Sequence, residues 1–303
     1  MTGTTQRRVR VVDAFTDEPL AGNAAGVVPD AEGLSDEAMQ AVARELAVSE
    51  TAFLLPSDRA DRRVRYFTPT QEIDLCGHAT IASHVHLFED GVVGPGTHSL
   101  ETNVGVLEID IEADGTVWMT QDDPEVRRVD LDYDRVAEAL GVDPAGLTEL
   151  EDELSMAVAS TGVPFLLVPA AYLENVGGAD PDMDAVEALC EDVDATGCYL
   201  YTFDALEADS TLHGRAFVPL AGVPEDPVTG TASGAVAAYL DHVGAFDADF
   251  PDELVLEQGH FVDRPGRVRA TVGDRVRVGG RGAVAVDGTL TVPEIEEDDI
   301  VEA

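Results

Sequence analysis

Apolar and polar positions alternate with a period of two over residues 8–15 and 64–67, the pattern of strands with one buried face. Residues 51–55 and 198–202 are short apolar runs that also read as strands. Asp114-Gly115 and Asp287-Gly288, each flanked by alternating apolar residues, predict hairpin turns. Ser35 is a suitable cap for a helix running to Ala47, with Asp36 and Glu37 favourably placed in its first turn. Residues 184–193 predict a similar surface helix. Two segments behave differently: residues 79–87 and 232–240 are apolar around most of the helical cylinder. A helix that is apolar all round must be buried all round. Short strands wrapping such a helix make a β-roll with a central helix, once in each half of the chain.

The halves repeat each other. Gly22 and Pro29 are matched by Gly162 and Pro169, an offset of 140. The 51–55 strand corresponds to 198–202, and Arg65-Tyr66-Phe67-Thr68-Pro69 corresponds to Arg215-Ala216-Phe217-Val218-Pro219. Gly77-His78-Ala79-Thr80-Ile81-Ala82 is then matched by Gly230-Thr231-Ala232-Ser233-Gly234-Ala235, where the offset has grown to 153. Matches in one order, drifting through small insertions, indicate a duplicated unit. The expected fold is α+β, with two homologous barrel-like β-roll lobes. Residues 1–120 form the first, completed by a C-terminal strand over about 283–303, and residues 121–282 form the second. A dinucleotide-binding sheet is disfavoured, because no strand leads into a Gly-rich turn and Gly91–Gly96 follows a helix instead.

Charge changes the picture of the surface more than of the fold. The 303 residues carry 60 acidic and 18 basic side chains, a formal net charge of −42, and every basic residue is Arg. In dilute buffer such a surface repels itself. Near 1 M salt the Debye length falls to roughly 3 Å and the repulsion is screened. The composition therefore reads as that of a halophile, and acidic runs such as 149–153 and 296–299 read as solvated faces. The same charge excludes nucleic acid as a partner. No apolar stretch approaches the roughly 18 residues of a membrane span, and no signal core follows the basic start, so a cytoplasmic location is expected. The three cysteines, Cys76, Cys190 and Cys198, match neither a disulfide framework nor a zinc spacing. His84 and His86 stand at i and i+2 on a helix and do not face each other, so no metal is expected.

Chemistry is expected where the two buried helices begin. Each starts at a glycine after an Arg-x-Phe-x-Pro strand, and its first N–H groups carry the positive end of the helix dipole. Two such termini facing one cleft would receive a carboxylate. The plainer alternative is that Asp74 and Thr229 simply cap the two ends.

Several segments here resemble the PhzF-like family of phenazine biosynthesis. They are Asp13-Ala14-Phe15-Thr16, Gly22-Asn23, Ser49-Glu50-Thr51, Arg65-Tyr66-Phe67-Thr68-Pro69, Asp74-Leu75-Cys76-Gly77-His78-Ala79-Thr80, Glu225-Asp226-Pro227-Val228-Thr229-Gly230, Gln258-Gly259 and Arg264-Pro265. The resemblance runs in order over nearly the whole chain and implies a diaminopimelate-epimerase-like fold and a homodimer. It implies a cofactor-independent isomerase in which Glu50 is the general acid/base and His78 and Asp226 hold and polarise the substrate. Gly77 and Gly230 would bind a carboxylate, with Thr231 assisting and Cys76 beside them. Thr231 stands where the family usually has Ser, and Ala24 where it usually has Pro.

On the residues themselves, Glu50 lies at the start of an apolar strand, where partial burial is expected to raise its pKa. His78 at a helix N-terminus is expected to be neutral. Two rival functions stay open: a racemase or epimerase with one thiol base on each face, and a non-catalytic small-molecule binder. Aligning the repeats puts Thr229 opposite Cys76, which counts against the first. The presence of Glu50, His78 and Asp226 together counts against the second.

The charge reading predicts that native circular dichroism is lost as salt falls below about 1 M, where the Debye length exceeds roughly 3 Å. A full native spectrum in dilute buffer would contradict it.

Overall fold

The computed structural model describes residues 4–150, 154–246 and 250–293, so the acidic run at 296–299 and part of that at 149–153 lie outside the described residues. The chain divides into two compact units. One comprises Met1–Leu20, Ala24–Trp118 and Arg281–Ala303; the other comprises Ala21–Asn23 and Met119–Gly280. Both mix strands with a few helices.

In the first unit the helix Gly77–Glu89 is buried at all nine positions from Ala79 to Leu87. Its polar members are satisfied locally, which is what lets them sit there. Thr80 Oγ1 donates to the Cys76 carbonyl at 2.7 Å, Ser83 Oγ donates to the Thr80 carbonyl, and His84 Nδ1 lies 2.9 Å from that same oxygen. His86 Nδ1 accepts from Arg10 at 3.0 Å. Burial pushes both imidazoles down to about 4, so each is neutral inside the unit.

The strand Thr4–Ala14 packs on this helix and pairs antiparallel with Gly282–Pro293, from Thr4 opposite Pro293 to Ala14 opposite Gly282. Asn23–Val28 runs parallel to Glu50–Leu55, which pairs antiparallel with Arg62–Phe67. Outside, Asp36–Leu46 is capped by Ser35, whose hydroxyl accepts from Ala38 N, and lays Ala38, Met39, Val42 and Ala43 on Phe53 and Phe67.

One expected turn is absent. Asp287 and Gly288 lie in the middle of Gly282–Pro293, opposite Arg10 and Val9. The Asp-Gly pair reads as a hairpin only if its flanks pair with each other, and here both flanks pair along Thr4–Ala14. Asp287 instead accepts from Arg8 and Arg10. At Asp114-Gly115 the turn does form, with Gly115 at φ 87° and Glu112 N bonded to the Thr116 carbonyl.

The second unit repeats the arrangement around Gly230–Val243, buried at every position from Ala232 to Leu240. Ala157–Ser160, Pro164–Pro169, Gly266–Val272 and Val276–Gly280 pack against it. Ser233 Oγ donates to the Thr229 carbonyl at 2.9 Å, the counterpart of Thr80 and Cys76. Helices Tyr133–Leu140 and Met183–Asp192 cover the opposite face of Gly197–Thr202 through Val136, Leu140, Leu189 and Phe217. Cys190 and Cys198 lie in this core.

The repeated Arg-x-Phe-x-Pro strand has a shared purpose. Arg65 donates to both carboxylate oxygens of Glu72 at 2.8 and 2.6 Å and lies over the Phe67 ring. Arg215 does the same with Glu225 at 2.9 and 2.7 Å and lies over Phe217. Each pair ties the strand to the segment that leads into the buried helix. Arg215 also donates to the carbonyls of Val176 and Ala179. Removing one partner of a buried pair strands the other charge, at a cost of about 3–5 kcal/mol. Arg215→Met is therefore expected to destabilise the fold by about that amount in urea unfolding. Arg267→Met, whose partner Asp209 is exposed, should leave the midpoint nearly unchanged.

Candidate active site

In the first unit the Arg62–Phe67 strand returns through Glu72–Ile73 to Cys76, the N-cap of Gly77–Glu89. His78 is the second residue of that helix. Glu50 opens its own strand, opposite Ala25 in the parallel register and one residue before the Thr51–Phe67 pair. The fold thus brings together two residues distant in sequence: His78 Nε2 lies 3.2 Å from Glu50 Oε2. Cys76 Sγ is 3.5 Å from His78 Nδ1, and Ser49 Oγ is 3.3 Å from Nε2. The side chains of His78 and Glu50 are mostly buried, at 13% and 19% exposure. Because Thr80 Oγ1 already donates to the Cys76 carbonyl, the Tyr66 hydroxyl is the donor in its contact with Thr80, fixing the turn from below.

The ionisation of this pair differs from expectation on both sides. Burial pushes the Glu50 carboxyl up, but the close contact and charge of His78, helped by Ser49, outweigh it and hold the group below the usual carboxylate range. Burial likewise pushes His78 down, yet Cys76 and Glu50 outweigh it and raise the imidazole well above its ordinary value. The contact therefore favours the carboxylate form of Glu50 and the imidazolium form of His78. For His78 the neighbouring Cys76 and then Glu50 outweigh burial, and for Glu50 the His78 contact does.

In the second unit Asp226 ends the strand Val223–Asp226, and Thr229 is the N-cap of Gly230–Val243. The Asp226 carboxylate is held from two sides: Asn23 Nδ2 donates to Oδ1 at 2.9 Å and Thr229 Oγ1 donates to Oδ2. Gln258 Nε2 donates to the Asp226 carbonyl at 2.6 Å, while Gln258 Oε1 accepts from Thr229 N at 3.1 Å. Gly230 and the half-buried Thr231 form the start of the helix, and the Thr231 carbonyl accepts from Thr161.

The simple capping alternative fails at both helix starts. Cys76 and Thr229 are the N-caps, and neither makes a side-chain capping bond. The Thr229 hydroxyl is turned to Asp226 instead. Gly77 is exposed, and a Cβ placed there would meet nothing within 4 Å, so the approach to this terminus is open. Thus Glu50, Cys76, Gly77 and His78 gather in one unit, and Asp226, Gly230 and Thr231 in the other. Ser49, Asn23, Thr229 and Gln258 are the residues that sequence reasoning left out of the site, although each stands within a motif that carried the family resemblance.

A family model described as phenazine biosynthesis-like protein, PhzC-PhzF, matches residues 12–292. The chain belongs to the PhzC-PhzF family. It is an isomerase, as its relatives are named. It is 36% identical over 287 residues to the uncharacterized isomerase YfhB of Bacillus subtilis, covering 93% of this chain and 95% of that one. The crystal structure of a Bacillus anthracis phenazine biosynthesis protein of the PhzF family superposes with a TM-score of 0.86 at 30% identity, covering 94% and 99% of the two chains. A hydroxyproline epimerase from Agrobacterium vitis shares the fold, with a TM-score of 0.59 at 14% identity over 96% and 93%.

The two shifts in this PhzF-family chain define a pH window. The lowered Glu50 contributes stability that is present above its ordinary 4.5 and lost as pH falls through its depressed value. The raised His78 contributes stability that is complete below its ordinary 6.5 and lost as pH rises through its raised value. The pair is worth most between those two ordinary values. In an NMR titration the His78 ring should change protonation above 6.5, and Glu50→Gln should move that midpoint down. An unmoved midpoint would show that Glu50 does not hold the charge on His78.

Proposed function

We propose that the protein is a cofactor-independent isomerase that moves a proton on a small carboxylate-bearing substrate, with Glu50 as the general acid/base. The observation that carries this reading is the buried Glu50–His78 contact at the open start of a wrapped helix. An ionised Glu50 takes a proton from an activated carbon. The C–H bond breaks, an O–H bond forms, and the electron pair moves into the conjugated system of the substrate. The same oxygen returns the proton to a second carbon as the pair forms the new C–H bond there. His78, as a cation, stabilises Glu50 before the transfer and favours negative charge on the substrate during it. Asp226, held by Asn23 and Thr229, is assigned to orienting the substrate. The backbone of Gly77, Gly230 and Thr231 is assigned to its carboxylate, since N–H groups at helix starts favour anions. The frame on which this happens is read as diaminopimelate-epimerase-like.

The two-thiol racemase reading is weaker. Its second thiol would have to come from Cys190 or Cys198, and both are fully buried in the core. Burial pushes the Cys190 thiol up to about 12 and raises Cys198 well above its ordinary value, so neither is a thiolate.

The test is incorporation of solvent deuterium into small carboxylates, read by mass spectrometry for the wild type, Glu50→Gln and Cys76→Ser. General acid/base catalysis contributes ~10²–10⁴-fold, so Glu50→Gln should slow exchange by that order while Cys76→Ser is much milder. Normal exchange in Glu50→Gln together with its loss in Cys76→Ser would make the thiol the base.

A further inference from the structure

Successive residues of a strand point to opposite faces, and Leu254–Gln258 uses both. Gln258 joins the Asp226 cluster, whereas Glu257 projects the other way. The parallel strand Leu212–Val218 places His213 in register with Glu257, so the two side chains share a face. They form a pair with no solvent exposure, His213 Nδ1 lying 2.8 Å from Glu257 Oε1. The Glu257 carboxylate also accepts from the amides of Leu206 at 2.5 Å and Glu207 at 3.1 Å. A carboxylate that already accepts from two amides takes a hydrogen bond from Nδ1, and in the neutral ring this leaves Nε2 as the acceptor nitrogen. That Nε2 is buried and has no hydrogen-bond partner among the described residues.

A second imidazole is brought to the same place. Gly259 turns the chain at φ 85°, where a Cβ would stand 2.2 Å from the Arg264 carbonyl oxygen and 2.7 Å from that of Pro227. Only glycine fits such a turn. It sets the His260 ring 5.1 Å from that of His213, centroid to centroid. Phe261 holds the turn in place, with its ring 5.3 Å from His213 and 5.4 Å from the Arg215 guanidinium. His260 Nδ1 is also buried without a hydrogen-bond partner among the described residues. One donor atom from each of His213, Glu257 and His260 lies within 4.8 Å of the others.

We propose that His213 and His260, with Glu257 as their carboxylate partner, bind a zinc-class divalent cation at a site separate from the Glu50–His78 pair. The two free imidazole nitrogens, His213 Nε2 and His260 Nδ1, are donors that zinc accepts, with water able to fill the remaining positions. A carboxylate accepting from the far nitrogen of a ligating histidine is the usual way its ring is oriented and its lone pair presented. The ion would tie together the Leu212–Val218 strand, the Leu254–Gln258 strand and the Gly259 turn, so its effect falls on stability. A comparable cluster of Glu50, Cys76 and His78 exists in the other unit, and the experiment must separate the two.

Chelator-stripped protein, kept in high salt, is dialysed against zinc, and bound metal is measured for the wild type, His260→Ala and Cys76→Ser. The expected result is one zinc per chain in the wild type and in Cys76→Ser. His260→Ala should lose affinity by at least the roughly 10–100-fold that removal of an outer-shell partner costs. Zinc should raise the wild-type Tm but not that of His260→Ala, while the metal-free Tm values of the two agree. Cobalt in place of zinc should show ligand-field bands without thiolate charge transfer. The proposal is overturned if the wild type binds no zinc or if His260→Ala retains it. It is equally overturned if the metal is lost in Cys76→Ser with thiolate-to-cobalt charge transfer in the wild type, which would assign the ion to the other cluster.

Discussion

The arrangement of the site depends on a helix that has no polar face. In each unit nine consecutive helical residues are buried, so strands must enclose the helix and its ends are where polar groups can gather. The N-terminal end has to be reached by a strand that turns inward, and the Arg65–Glu72 and Arg215–Glu225 clamps hold that approach. A hydroxyl at the fourth helical position, Thr80 or Ser233, then bonds back to the N-cap carbonyl. With that carbonyl occupied and no side chain capping the amides, the helix start presents donors. Acids are drawn to such a place by electrostatics alone, and each unit has one close by.

The two units differ in what surrounds their acid. Glu50 meets a titratable partner, and the pair settles as carboxylate and imidazolium. Asp226 is held by the Asn23 amide and the Thr229 hydroxyl, with Gln258 bracing the turn. The N-cap itself shows the same split, a thiol at Cys76 against a hydroxyl at Thr229.

Much of this was legible in the sequence because it is local or repeated. The all-round apolar segments, the Ser35 cap and the paired Arg-x-Phe-x-Pro strands are short patterns whose physical meaning does not depend on distant residues. What could not be read depended on partners brought in by the fold. Asp287-Gly288 has the composition of a hairpin turn, but pairing along Thr4–Ala14 and the pull of Arg8 and Arg10 made it strand. Glu50 and His78 were each assigned a shift from its own surroundings, burial for one and the helix dipole for the other. Both directions are set instead by the contacts among Cys76, His78 and Glu50. His213 and Glu257 are 44 residues apart and acquire a relation only through parallel register.

The use of arginine follows from the same physics. With −42 net charge and no lysine, cations are scarce, and two of them stand where a planar fork gains most. Arg65 and Arg215 each make two bonds to one carboxylate and lie over a phenylalanine ring, contacts that a lysine ammonium could not reproduce. These pairs and the bulk of the acidic surface respond differently to salt. Repulsion between exposed acids acts over many ångströms and is removed when the Debye length shrinks to roughly 3 Å. A partly buried clamp with bonds of 2.6–2.9 Å acts at contact and is screened far less. Salt therefore weakens the electrostatics that oppose the fold more than the electrostatics that build it. The two clamps that hold the helix approaches, Arg65–Glu72 and Arg215–Glu225, are thus the pairs that high salt disturbs least.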